Sequence, residues 1–239
     1  MQRAQVVKLD RGYPLVRCED GRLVRCEHAT ALVKGEKVRA VIGDFVEVNA
    51  PEGHDKGIIE SICPRERAFV RKDPTERAVP QVLAANFDRV ILAQPLAEVN
   101  LRRLERELVL AYETGAAVTV VLTKADLAES EEQVEQVAER VRALAGPDVR
   151  TLVVSDGNAE SVEAVRALMA SGTTTVLVGK SGVGKSSLMN SLFPQLGLET
   201  GIISKKLGRG KHTTRQAQLY RLSELDPAMT GYAADTPGF

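Results

Sequence analysis

TTTVLVGKSGVGKSSL (173–188) decides the fold. Its β-branched apolar run predicts a buried strand, and SLMNSLF after it predicts an apolar helix. Between them stands Gly-x-x-x-x-Gly-Lys-Ser, with every fixed place filled. Glycines at those places let consecutive backbone N–H groups turn inward and cradle an anion, to which the helix adds its positive end. The candidate phosphate-binding residues are therefore Gly179, Lys180, Ser181, Gly182, Val183, Gly184, Lys185, Ser186 and Ser187. Lys185 is expected to reach the β- and γ-phosphates, and the Ser186 hydroxyl to ligate Mg²⁺.

Outward from this loop the chain alternates strand and helix. FDRVILAQ (87–94), AVTVVLT (117–123), RTLVVS (150–155) and 173–178 are strand candidates. Asn100 caps LRRLERELVLAYE, Gly115 ends it, and Ser130 with Gln133 forms a capping box for EEQVEQVAERVRALA. SVEAVRALMA is a third helix. Such alternation predicts a mostly parallel sheet with helices on both faces, whose ligands bind at the carboxyl ends of the strands.

Thr123-Lys124-Ala125-Asp126 follows one of those strands directly. The Asp126 carboxylate can accept from both N1–H and the exocyclic amine of guanine, whereas adenine offers neither donor there. Two charge-assisted bonds of about 1.5–3 kcal/mol each would separate the two bases. The Lys124 stem can lie along the base, and Ser155 can offer its backbone N–H to guanine O6. Usual guanine readers carry Asn where this chain has Thr123, which retains only a hydroxyl.

Asp235-Thr-Pro-Gly238 follows the strand candidate MTGYAAD. Asp235 would hold Mg²⁺ through water, and the Gly238 N–H would sense the γ-phosphate. ISKKLGRGKHTTRQAQLYR (203–221) carries six basic residues and no acidic one. It reads as a pliable switch in which Thr213 or Thr214 completes the Mg²⁺ shell. A basic loop beside a phosphate site also suits RNA. ATP hydrolysis or phosphoryl transfer, and a nucleotide-sensing RNA module with negligible turnover, are the competing readings.

The order of these segments is unusual: base reader, Ser155, phosphate loop, basic switch, then D-x-x-G. It is the order of an ordinary GTPase cycle cut after the D-x-x-G strand and rejoined ahead of the 173–178 strand. The motifs would still meet at one sheet edge.

Residues 1–66 have another rhythm. QVVKL, YPLVRC, RLVRCEH, KVRAVI, DFVEVN and GIIESI alternate with Gly- and Asp-rich turns, predicting a five-stranded OB-like β-barrel. Over 1–65, eleven basic residues face ten acidic ones, so charge alone does not mark an RNA-binding face. RERAFVRKDPTERAVPQ (65–81) lacks periodicity, and 67–85 is expected to be a linker or crossover into a domain spanning 86–239. Lys+Arg and Asp+Glu both number 32, so no global field draws the chain to nucleic acid or membrane. No apolar run is long enough to span a bilayer, and a cytoplasmic protein is the expectation. Cys18, Cys26 and Cys63 lack metal-ligand spacing. A two-residue turn at Asp20-Gly21 would set Cys18 opposite Leu23 and Cys26 on the other sheet face.

The permuted order, GKSGVGKSSL, LGRGKHTTR, DTPGF and a preceding barrel together resemble the RsgA/YjeQ family of ribosome small-subunit-dependent GTPases. The resemblance implies a circularly permuted P-loop GTPase domain after an OB-like barrel, binding GTP/GDP and Mg²⁺. It implies GTP hydrolysis stimulated by the small (30S) ribosomal subunit in late maturation, with the barrel touching 16S rRNA, in a cytoplasmic monomer without membrane contact. In that family a histidine of the GRGKHTT loop is assigned the catalytic task, which here is His212. Phe239 stands where many switches carry a water-orienting Gln, so slow intrinsic hydrolysis is expected. The family continues beyond DTPGF into a Cys/His zinc domain. Zinc is expected only in that absent part and not in this chain, which resembles a fragment.

Overall fold

The computed structural model describes residues 1–10, 13–36, 38–51, 53–54, 56–71, 81–155, 157–169, 172–198 and 217–238. Five strands, β1 (Gln2–Asp10), β2 (Tyr13–Cys18), β3 (Leu23–His28), β4 (Phe45–Asn49) and β5 (Lys56–Ile62), close in the order β1-β2-β3-β5-β4. β1 pairs with β4 to complete the ring, and the β3–β5 pair is parallel. This is the Greek-key barrel of the OB-fold. Val16, Val24, Val46, Val48 and Ile59 alternate inward and are fully buried.

Two local expectations fail in the barrel. Of KVRAVI, residues 38–42 are not a strand: a π-helical turn at Ala31–Glu36 comes first, and within 38–42 only Ile42 makes a bridge, to Ala84. The backbone N–H groups that a ladder would use go elsewhere. Val38 N donates to Leu32 O at 3.0 Å, Ala40 N to His28 Nε2 at 2.9 Å and Val41 N to Asp44 Oδ2 at 2.8 Å. The β2–β3 hairpin also turns differently. Cys18 N donates to Arg22 O and Gly21 N to Cys18 O, with Gly21 at φ +85°. That three-residue loop moves the register by one, so Cys18 and Cys26 are buried on the same face.

The 65–81 segment is not wholly irregular. β6 (Ala68–Arg71) pairs antiparallel with β7 (Gln81–Ala85), and residues 72–80 lie outside the described residues. Beyond it come β8 (Arg89–Pro95), α1 (Leu101–Tyr112), β9 (Ala117–Thr123), α2 (Glu131–Ala145), β10 (Arg150–Val153), α3 (Ala159–Met169), β11 (Thr174–Val178), α4 (Lys185–Leu192), β12 (Ala217–Arg221) and β13 (Tyr232–Asp235). Asn100 caps α1 by accepting from Arg103 N at 3.0 Å. Ser130 caps α2 by accepting from Gln133 N at 3.2 Å, while Gln133 Oε1 reaches back to Glu129 N, one residue earlier than in a capping box.

The six strands stand in the order β10-β9-β8-β11-β13-β12, parallel except for β12. Counted from β11 as the first strand, the spatial order is 2-3-1-4-5-6, a doubly wound sheet opened between β13 and β8. Alternate side chains feed two cores. Val90, Leu92, Val176 and Val178 pack with Leu104, Leu108 and Val141 under α1 and α2. Ile91 and Leu177 pack with Val165, Met169, Leu188 and Met189 under α3 and α4. Each such buried side chain contributes roughly 1.5–3 kcal/mol. No described helix is long and apolar enough to cross a membrane.

Barrel and sheet are joined at several places. β1 pairs antiparallel with β12 through Lys8↔Gln218 and Leu9↔Ala217. Under the barrel, the fully buried Asp44 receives both Nε and Nη2 of Arg65 at 2.7 Å. Asn86, at φ +55°, accepts from Glu66 N and donates to Gly43 O. A Cβ on Gly43 would lie 2.1 Å from Ala85 O, so that approach requires glycine.

Candidate nucleotide site

The carboxyl ends of β8, β9, β10, β11 and β13 share one edge, with β11 at the topological switch point between β8 and β13. The 179–184 turn leaves β11 there and α4 begins at Lys185. Gly184, at φ +101°, approaches the Thr123 hydroxyl so closely that a Cβ would lie 3.1 Å from it. The turn is thus built against the end of β9. Gly182, Lys180 and Ser181 are exposed, while Gly179 and Val183 are buried and Ser186 and Ser187 are half-buried.

Lys185 is 6% exposed and donates to Gly179 O at 2.7 Å and Lys180 O at 3.2 Å. Burial pushes its ammonium below the usual lysine range, against the pull of Asp235 and Glu107. A cation held among loop carbonyls in a low-dielectric site is poised to meet phosphate oxygens.

Thr123 is buried, and its hydroxyl lies within hydrogen-bonding distance of Gln94 O, at 3.2 Å, and of Val183 O. It therefore ties the end of β9 to the phosphate loop. Lys124, at φ +59°, donates from Nζ to Gly182 O at 2.7 Å and covers the same loop. Ala125 N donates to Val154 O. Asp126 is exposed in the single 3-10 turn that follows. Ser155 N meets Ser161 Oγ at 3.4 Å, and Ser155 lines a 390 Å³ cleft with Ala125, Asn158 and Ser161.

Asp235 ends β13 and is 1% exposed. Among the described residues its Oδ1 is buried without a hydrogen-bond partner, and burial raises its carboxyl to about 6 although Lys185 opposes the rise. An orphaned carboxylate oxygen at a phosphate edge fits a hard divalent cation. Gly238 lies on the loop itself, since a Cβ there would be 2.3 Å from Ser181 N. His212, Thr213 and Thr214 lie outside the described residues, as does the rest of the basic segment up to residue 216. The last five residues of that segment, read as part of a pliable switch, form β12.

Two participants hold no fixed place in the sequence motifs. The Thr236 hydroxyl donates to Leu177 O at 2.6 Å, fastening the turn after β13 to β11. Glu107 of α1 is 2% exposed and is held by Arg103 Nε at 2.7 Å and by Gln94 Nε2 at 2.5 Å. Its trace in the sequence is an acidic residue three places after Leu104, on the stripe that also carries Leu108 and Ala111.

Residues 62–239 match the family model described as RsgA GTPase. A small ribosomal subunit biogenesis GTPase RsgA from Streptomyces coelicolor is 38% identical over 237 residues, 98% of this chain and 62% of that relative. The crystal structure of YjeQ from Thermotoga maritima superposes with a TM-score of 0.69 at 26% identity, over 100% of this chain and 75% of that one. YloQ, described as a circularly permuted GTPase, superposes with a TM-score of 0.60 at 24% identity over 100% of this chain and 72% of that one, a likeness of fold. The chain spans about three fifths of the length of the first curated relatives it matches. With a barrel of OB topology, a permuted parallel sheet and a motif-bearing edge that all agree with that match, the chain belongs to the RsgA GTPase family.

Proposed function

We propose that this chain binds GTP and GDP and hydrolyses GTP to GDP and phosphate, stimulated by the small ribosomal subunit during its late maturation. The contact of Lys124 Nζ with Gly182 O carries this reading, because it brings a base-reading segment onto a phosphate loop that follows it in the sequence. Asp126 reads guanine N1–H and the exocyclic amine, and the Ser155 N–H, now spent on Ser161, turns to O6. The 182–186 amides and Lys185 take the phosphates. Ser186 and Asp235 would hold Mg²⁺, with Thr213 or Thr214, and that ion would supply charge to offset the phosphates. Gly238 follows the γ-phosphate. His212 is the catalytic residue that orients the attacking water, as the family likeness suggests.

Residues 1–66 form the RNA-contacting unit and 86–239 the GTPase unit, in a cytoplasmic monomer. The RNA contact is supported by the outward face of β2, β3 and β5. There Tyr13 and Ile58 are exposed beside Arg25 and Lys56 in a 460 Å³ concavity that also includes Glu27. The Tyr13 ring suits an unpaired base, Ile58 adds apolar surface beside it, and the two cations suit phosphates.

The test is hydrolysis of GTP and ATP with and without small subunits, Lys185→Ala serving as the blank. Turnover of GTP alone, raised by subunits, is expected. Equal use of ATP, or indifference to subunits, overturns the corresponding part.

A further inference from the structure

The seam between barrel and sheet holds a second cleft, of 360 Å³, which shares no lining residue with the concavity beside Tyr13. One wall is the outer surface of the barrel. Ala4 and Val6 are buried in its core, so Arg3 and Gln5 of β1 point outward. Gln5 stands opposite Arg17 of β2 on one side and Phe45 of β4 on the other, a row across three strands. The Arg3 guanidinium lies over the Phe45 ring, 4.6 Å from its centre. The other wall belongs to the sheet, where Arg221 of β12 and Tyr232 of β13 are paired in register. Arg17 is engaged across the seam: its Nη1 lies 2.8 Å from Glu224 Oε1 and its Nη2 donates to Oε2 at 3.2 Å. Glu224 sits on the helical turn Leu222–Leu225 between β12 and β13, so that pair clamps the two walls together. Arg3 and Arg221 are exposed, and no described acidic residue pairs with either. Glu19 is the acidic residue of the lining.

We propose that this cleft seats an unpaired nucleotide of a single-stranded RNA, with the base laid on Arg3 and a phosphate on Arg221. Arg3 and Phe45 already form two layers of a stack, and an exposed guanidinium plane is a platform that a base extends. Arg221 stands across the cleft as a cation without a partner, which suits the backbone of that nucleotide. The half-buried Tyr232 ring adds a second aromatic surface. Tyr13 and Arg17 point outward from the same strand, four residues or about 13 Å apart. A strand of RNA lying in the Tyr13 concavity therefore reaches the seam along β2. An acidic peptide would satisfy the two cations but leave the stack unused. A duplex would keep its bases paired and away from Arg3.

The assignment rests on the RNA-contact reading of the barrel, and one experiment separates the two. A short fluorescein-labelled oligouridylate is titrated with the full chain by anisotropy at several salt concentrations. Arg3→Ala is expected to weaken binding about tenfold through the lost stack. Arg221→Gln is expected to lower the slope of log K against log salt by about 0.7, the value for one phosphate on a single strand. Both side chains are exposed and neither belongs to the nucleotide site, so GDP affinity should stay at the wild-type value in both variants. Arg25→Gln with Lys56→Gln reports on the Tyr13 concavity by itself. If that pair weakens RNA binding while Arg3→Ala and Arg221→Gln leave both affinity and slope unchanged, the seam cleft is overturned and the barrel reading stands. If wild type binds no oligouridylate, the barrel reading falls and the cleft with it. Displacement of the RNA by polyglutamate and by oligouridylate at equal concentrations of charge, lost equally in Arg3→Ala, would make the occupant an acidic protein segment and overturn the RNA assignment.

Discussion

Lys124 and Gly182 lie 58 residues apart in the chain, yet the ammonium of one donates to the carbonyl of the other at 2.7 Å. Beside them Thr123 bonds Val183 O. These two side chains are the stitching between β9 and the phosphate loop. Thr123→Val keeps the shape but deprives the Val183 and Gln94 carbonyls of their donor, at a cost of about 1–3 kcal/mol. The expected result is weaker GDP binding with helix content unchanged, measured by titration and circular dichroism. Unaltered affinity would show that the loop holds its form unaided.

Asp126→Asn should exchange the base preference. An amide keeps an oxygen to accept from N1–H, which both bases carry, but presents a donor where guanine has its exocyclic amine and xanthine a carbonyl oxygen, so GDP affinity falls by a factor on the order of a hundred while xanthosine diphosphate gains. Competition binding with the two diphosphates checks it, and retained GDP preference places the base elsewhere.

Asp235 ties stability to pH. Its folded carboxyl titrates near about 6, above the ordinary value of about 3.9, so the folded state holds the proton more tightly than the unfolded one. The contribution is full below pH ~4, declines as pH rises through about 6, and is absent at pH 7. Asp235→Asn is therefore expected to stabilise the nucleotide-free protein at pH 7 by up to about 3 kcal/mol. The same variant should lose the extra thermal stability that magnesium with GDP gives wild type. Denaturant melts at pH 4.5 and 7, with and without Mg-GDP, measure both effects. A variant no more stable than wild type at pH 7 would refute the buried-charge account.

Asp44→Ala removes both Arg65 bonds and the acceptor of Val41 N under the barrel. Breaking a buried pair by deleting one partner costs about 3–5 kcal/mol. Urea unfolding should show that loss, and a change below 1 kcal/mol would mean water already reaches the pair.

What was legible in the sequence was what local chemistry dictates. Glycine spacing at 179–184 answers to backbone geometry, and Asn100 and Ser130 cap their helices through bonds within three residues. The long-range features were not legible. KVRAVI has a strand's composition, but its N–H groups are claimed by His28 and Asp44, a choice made by the folded barrel. Cys26 changed face because one turn took three residues instead of two. Glu107 resembles any surface glutamate until Gln94 of another strand is brought beneath it. Thr123, expected at the base, is turned toward the loop by a close approach to Gly184 that no sequence window contains.

The two-rung ladder between β1 and β12 has an engineering corollary. β12 is the outermost strand of the parallel sheet, and the barrel shields its unsatisfied side from other chains. Excising residues 1–66 to obtain a minimal GTPase would bare that margin beside Leu219 and Tyr220. The trimmed piece should self-associate edge to edge and turn opalescent on concentration, well before any question of turnover could be asked of it.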